Sequence, residues 1–180
     1  MKWVTRDHVH LDRVAAPWLI KRFIDPAAVF EFIPAGAKVP AGEGVVPFGL
    51  PGVEISAHDS AGSTFRKLLR KYAIKDSALE VMAEMIESGI ADFLSKLPEY
   101  KSEVGRVTRP EGIGLEAISR GMMYMAKSDT DNIEKSAIIY DALYQFCHAK
   151  VIETENPSIV QLPFFERLAA VREKMRGGKR

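Results

Sequence analysis

The sequence predicts an α+β fold, a small N-terminal β-sheet with one helix followed by a mostly helical C-terminal half, and three observations carry the prediction. Up to about Ser63 the chain is rich in glycine, proline and β-branched residues; beyond it, apolar residues recur at helical spacing; and 180 residues suit a single domain. The parts are an N-terminal αβ part over about 1–63, a helical part over about 64–176 and a basic, frayed tail at 177–180. A chain of this size buries roughly 70% of its unfolded surface, so the core requires neither disulfide nor metal.

Trp3-Val4-Thr5 reads as an opening strand. Asp12 stands at an N-cap position before Val14, Trp18, Leu19, Arg22 and Phe23, which share one helical face. Pro17 fits that helix if its regular part begins near Ala16, with the proline in the first turn, and Asp25-Pro26 ends it. Val29–Ile33 is the best strand by β-propensity, interrupted by Glu31, and Pro34–Gly52 reads as a loop with a short strand at Val45–Phe48. Val53–His58 alternates like a half-buried strand. Ser63 or Thr64 caps a helix bearing Phe65, Leu68, Leu69 and Tyr72; Asp76 or Ser77 caps the next, bearing Leu79, Met82, Ala83, Ile86 and Ile90. Pro110 opens a helix striped by Leu115, Ile118, Met122 and Met125, with the methionines as core filler. Ile133, Ala137, Tyr140, Tyr144 and Cys147 then recur at steps of four, three, four and three, and Phe164, Leu168, Val171 and Met175 stripe a last helix.

Charge narrows the function classes. Lysine plus arginine is 25 against 24 acidic residues, so no broad basic face for nucleic acid or an anionic membrane is expected. Cys147 is the single cysteine, which excludes an intrachain disulfide, favours a reducing compartment and reads as a buried, inert thiol. Arg6, Asp7 and Asp12 interrupt any secretory leader and no apolar run nears ~20 residues, so a cytoplasmic protein is expected.

Two constellations could carry chemistry. His8 and His10, two apart, would share one side of an extended segment, and His10, Asp12, Glu31 and His58 could together hold a divalent transition metal. Arg13, Arg22, Thr64 and Arg66 could instead hold a tetrahedral anion, with Ser60, Gly62 and Ser63 as a small-residue lead into a helix N-terminus. There is no HExxH, CxxC, GxSxG or P-loop pattern. Catalytic residues are unassigned.

Trp3–Arg6, the block His10–Pro26, the element His58 through Gly62-Ser63-Thr64-Phe65 to Leu68-Leu69, the segment Pro110–Ile118 and Tyr140–Tyr144 resemble the C-terminal domain of chromate-resistance regulatory proteins. The resemblance runs to about His148 and begins almost at the first strand, so a separate N-terminal regulatory domain is expected to be missing. It implies a bacterial protein tied to chromate response. The family usually has cysteine where Ala16 and Ser63 stand and histidine where Glu87 stands, which argues against thiol-based chromate reduction and makes Glu87 a substitute metal ligand. The resulting expectation is an accessory or sensor domain holding chromate, another small anion or a metal ion in a polar pocket between the first helix, the His58 strand and the Thr64 helix. The alternatives are a metal-dependent or redox enzyme using His10, Glu31 and His58, and a helical interaction module, with a homodimer suggested by the number of apolar helical faces.

Overall fold

Every strand among the described residues lies in the first third of the chain, and helices make up the body of the remainder. The computed structural model describes residues 1–100 and 105–177. In order the elements are β1 (Lys2–Arg6), α1 (Asp12–Leu19) running into a π-helical turn (Ile20–Ile24), β2 (Val29–Ile33), β3 (Val45–Leu50) and β4 (Ile55–Ser56). Then come α2 (Thr64–Lys71), α3 (Ser77–Ser95), a 3-10 turn (Pro98–Tyr100), α4 (Glu111–Met125), α5 (Asp129–Glu155), α6 (Pro157–Val160) and α7 (Phe164–Gly177). The predicted α+β class holds. The four strands form a sheet of order β2-β1-β3-β4 with every pairing parallel. Alternation along β1 sends Trp3 into the main core, against the helices, and Val4 into a smaller cluster with Ile33 and Leu50 on the other face.

α3 is the central helix, with α4 and α5 packed on it. Asp76 caps it by accepting from Ala78 N and Leu79 N at 2.8 and 3.1 Å. The α5 stripe is as predicted, with Ile133, Tyr140 and Cys147 buried in the core and Ala137 and Tyr144 packed against it.

Four local expectations need correction. α1 begins at Asp12 rather than near Ala16, which puts Pro17 inside the helix. Pro17 has no N–H to offer the carbonyl of Arg13, and the backbone loosens into the π-helical turn just beyond. The strand expected over Val53–His58 shrinks to Ile55–Ser56 because side chains take its carbonyls. Lys67 Nζ donates to Ala57 O at 2.5 Å and Thr64 Oγ1 to Ser56 O at 3.2 Å, and a turn closes between Asp59 and Gly62. α4 is rotated from its predicted stripe: Gly112, Leu115, Glu116 and Ser119 are buried, whereas Ile118 and Met125 are 50% and 69% exposed. Backbone contact sets this rotation, since a Cβ on Gly89 would lie 2.6 Å from Gly112 O and one on Gly112 would lie 2.8 Å from Gly89 N. In α7 only Val171 is buried, and Phe164 stands 62% exposed. Gly177 ends α7, and the rest of the basic tail lies outside the described residues.

Candidate functional site

A cleft of about 1290 Å³ opens over the carboxyl ends of the parallel strands, where Arg6, Gly49, Ala57 and His58 line it. The sheet order places this opening where the chain switches direction: β1 connects to β2 on one side and β3 to β4 on the other. Ligands of open parallel sheets gather at such a switch, because neighbouring connections diverge and leave a crevice. Gly49 sits at the crevice with φ +62°, and a Cβ there would lie 3.2 Å from Arg13 Cγ and 3.3 Å from Thr5 Oγ1. The other walls come from α1 (Asp12, Arg13), α2 (Thr64, Arg66, Arg70) and one side of α3 from Glu87 to Leu94.

Of the nine residues singled out from sequence, seven line this cleft: His10, Asp12, Arg13, His58, Thr64, Arg66 and Glu87. Their partners divide them. Asp12 is buried at the base, and its carboxylate accepts from Thr64 N at 2.7 Å and Phe65 N at 3.0 Å. It therefore caps α2, a helix 52 residues further along, and does not cap its own. Burial pushes its carboxyl above the usual range, against the pull of those N–H groups. Ser63 Oγ accepts from Arg66 N at 3.1 Å, and Glu87 Oε1 accepts from Ser63 N at 3.1 Å. All the amides at the start of α2, from Ser63 to Arg66, are thus taken by the protein's own oxygens. The predicted anion nest there is already filled, and Thr64 Oγ1 is spent on Ser56 O.

Arg66 is neutralised as well, with Nε 2.7 Å from Glu87 Oε1 and Nη1 2.6 Å from Glu80 Oε2. The hydrogen bond to Glu87 holds the guanidinium above its ordinary value. Burial pushes Glu87 up, yet the hydrogen bonds from Arg66 and Ser63 outweigh it and keep the carboxyl below the usual range.

Arg13 is different. Its Nη1 donates to Arg6 O and Asp7 O, both at 3.1 Å, and its Nη2 to His8 O at 3.2 Å. No carboxylate pairs with it among the described residues, and burial, reinforced by Arg6, lowers its pKa. A guanidinium has five donors, and three contacts to carbonyls leave two unspent. Two imidazole nitrogens in the same cleft, His10 Nε2 and His58 Nδ1, are buried without a hydrogen-bond partner among the described residues. Burial holds His10 below its ordinary value, although Glu116 Oε1 lies 3.5 Å from Nε2. Its ring packs 5.2 Å from that of Phe93.

Two predicted residues stand elsewhere. Glu31, on the outer strand β2, pairs with Lys2 at 2.9 Å. Arg22 grips Asp141 of α5 with Nε at 3.0 Å and Nη2 at 2.6 Å, and Trp18 Nε1 donates to the same carboxylate at 2.8 Å. His8 does not join His10: a φ of +56° breaks the extended run, and its side chain is 83% exposed beside Asp7. Among the described residues no three His, Cys, Asp or Glu side chains converge as a metal-holding group. The arginines that sequence reading passed over are Arg6, Arg70 and Arg106. Arg70 carried a signal, one helical turn after Arg66 on the same face, and its Nη1 donates to Ala61 O at 2.7 Å.

A family model described as "ChrB, C-terminal domain" matches residues 3–147. The chain belongs to the ChrB C-terminal domain family. Protein ChrB of Cupriavidus metallidurans is 28% identical over 144 residues, 79% of this chain and 40% of that protein. The chain thus spans about two fifths of the length of that relative. No solved structure is significantly similar to it. All the cleft residues named above fall inside the ChrB-matched span, whereas α6 and α7 fall outside it. No helix among the described residues is long and apolar enough to cross a membrane.

Proposed function

We propose that this ChrB-family domain serves chromate resistance by holding a small oxyanion, chromate foremost, in the cleft at the carboxyl ends of β1, β3 and β4. The observation that carries the reading is Arg13: a half-buried guanidinium with only carbonyl partners among the described residues, at the point where the sheet switches direction. Such a cation recruits an anion because its charge is desolvated and its remaining donors have a fixed, forked geometry. Arg6 adds positive charge at the rim, and the imidazoles of His10 and His58 line the same cleft. A divalent metal fits less well, because Asp12 and Glu87 already spend their oxygens on α2 and Arg66 and Glu31 is on another strand edge. Recognition of the anion, with α1 and α2 joined through Asp12, suits a sensor or accessory role. Calorimetric titration of metal-stripped protein with chromate, sulfate, phosphate and zinc tests this. Stoichiometric binding of chromate or sulfate that weakens at least tenfold in Arg13→Gln is the expected result. Silence towards every anion, or an unchanged Arg13→Gln protein, would overturn it.

A further inference from the structure

The cleft is larger than an inorganic oxyanion needs, and its composition changes along its length. Glu87, Ile90, Leu94 and Leu97 recur along one side of α3 and its continuation, all lining the cleft. The wall is charged at Glu87, where Arg66 docks, and apolar from Ile90 to Leu97, before Glu99, with Phe93 standing beside His10. A helix rises about 1.5 Å per residue, so Leu94 lies about 10 Å along from Glu87, a span longer than a tetrahedral anion. Clefts of a few hundred cubic ångströms already enclose drug-sized molecules, and these pair an apolar wall with a few fixed polar groups. The volume here, about 1290 Å³, exceeds that.

We infer that the cleft takes an amphipathic organic oxyanion, a phosphate, sulfonate or carboxylate carried on an aromatic or aliphatic body. The charged end sits at Arg13 and His58 and the body lies against Phe93, Leu94 and Ile90. This rests on the anion reading above and deepens it: inorganic chromate would occupy only the charged end. Phe93 is half-buried although it lies on the helix that forms the middle of the core, and its ring faces His10 on one side and carries the guanidinium of Arg120 at 5.7 Å. It is thus a fixed aromatic surface, held between a cation and an imidazole, at the border of the polar and apolar walls.

The test compares 1-naphthyl phosphate with inorganic phosphate by calorimetry on the whole chain. The naphthyl ester should bind about tenfold more tightly or better, from the apolar area its ring removes from water. Phe93→Ala should erase most of that advantage while leaving inorganic phosphate within twofold, and Arg13→Gln should weaken both ligands. Leu97→Ser, farther out on the apolar wall, supplies the same comparison if Phe93→Ala fails to fold. Equal affinity of the two phosphates, or loss of both alike in Phe93→Ala and Leu97→Ser, would overturn the inference and leave the anion reading standing. Failure of both phosphates to bind the unaltered protein would overturn the inference, and the anion reading falls with it only if chromate and sulfate fail to bind as well.

Discussion

The two ends of the first helical segment show what distinguishes a structural arginine from a binding one. At its far end Arg22 and Trp18 converge on Asp141, so cation, indole and carboxylate satisfy one another. Burial pushes Asp141 up, but hydrogen bonds from Arg22 and Trp18 outweigh it and hold its carboxyl below the usual range. At the near end Arg13 has carbonyls in place of a carboxylate, and His10 keeps a buried nitrogen without a partner among the described residues. Both arginines sit on one continuous helical stretch and both are local cations; the difference is whether a carboxylate touches the guanidinium, as Asp141 touches Arg22, or acts on it only from a distance, as Asp12, Asp129 and Asp7 act on Arg13. The end left unmatched is the one that faces the cleft.

The comparison can be broken at several points. The largest effect is expected at Asp12, because its removal leaves the buried amides of Thr64 and Phe65 unpaired. Asp12→Ala should cost about 3 kcal/mol in urea unfolding. A much smaller loss would mean that α2 does not depend on this distant cap. Next come the arginines as a pair: Arg13→Gln should lose at least tenfold in chromate affinity with little change in melting temperature. Arg22→Gln should keep its affinity and lose about 1 kcal/mol of stability, no more, because that ion pair is half exposed and screened.

A pH series sharpens the same contrast. His10 has a folded pKa below its ordinary 6.5, so between those values the unfolded chain binds more protons than the folded one. Acidification through that window should therefore destabilise the protein, and stability should be regained as pH rises above 6.5. His10→Gln should flatten the pH dependence of the denaturant midpoint. A variant as steep as the original would place the titrating group elsewhere. The smallest effect is expected at Glu31→Gln, which breaks an exposed pair on the outer strand: less than about 0.5 kcal/mol and unchanged anion affinity.

Much of this was legible from residue pattern alone. β-propensity marked Val29–Ile33, Asp76 marked the start of α3, and the four-three spacing in α5 named the residues that meet the core. The rotation of α4 was not legible, because Gly112, Glu116 and Ser119 turn inward and none carries a hydropathy signal. What orients that helix is the approach of Gly112 to Gly89, a backbone contact that no apolar stripe records. In the cleft, sequence supplied the right residue types but not their partners. Nothing near Thr64 indicates that Asp12 already fills the N-terminus of α2, since that contact is made across 52 residues. Glu31 read like a ligand because it interrupts an apolar strand, and it proves to face Lys2 at the sheet's outer strand.

The most direct test is residue-resolved: follow the arginine Nε–H resonances by NMR while chromate is added, with Arg13→Gln and Arg22→Gln proteins providing the assignments. Progressive, saturable shifts at Arg13, together with the amides around His58, and a stationary Arg22 are the outcome predicted. A stationary Arg13, or shifts centred on Arg22 and Asp141, would contradict an anion site at the carboxyl ends of the sheet.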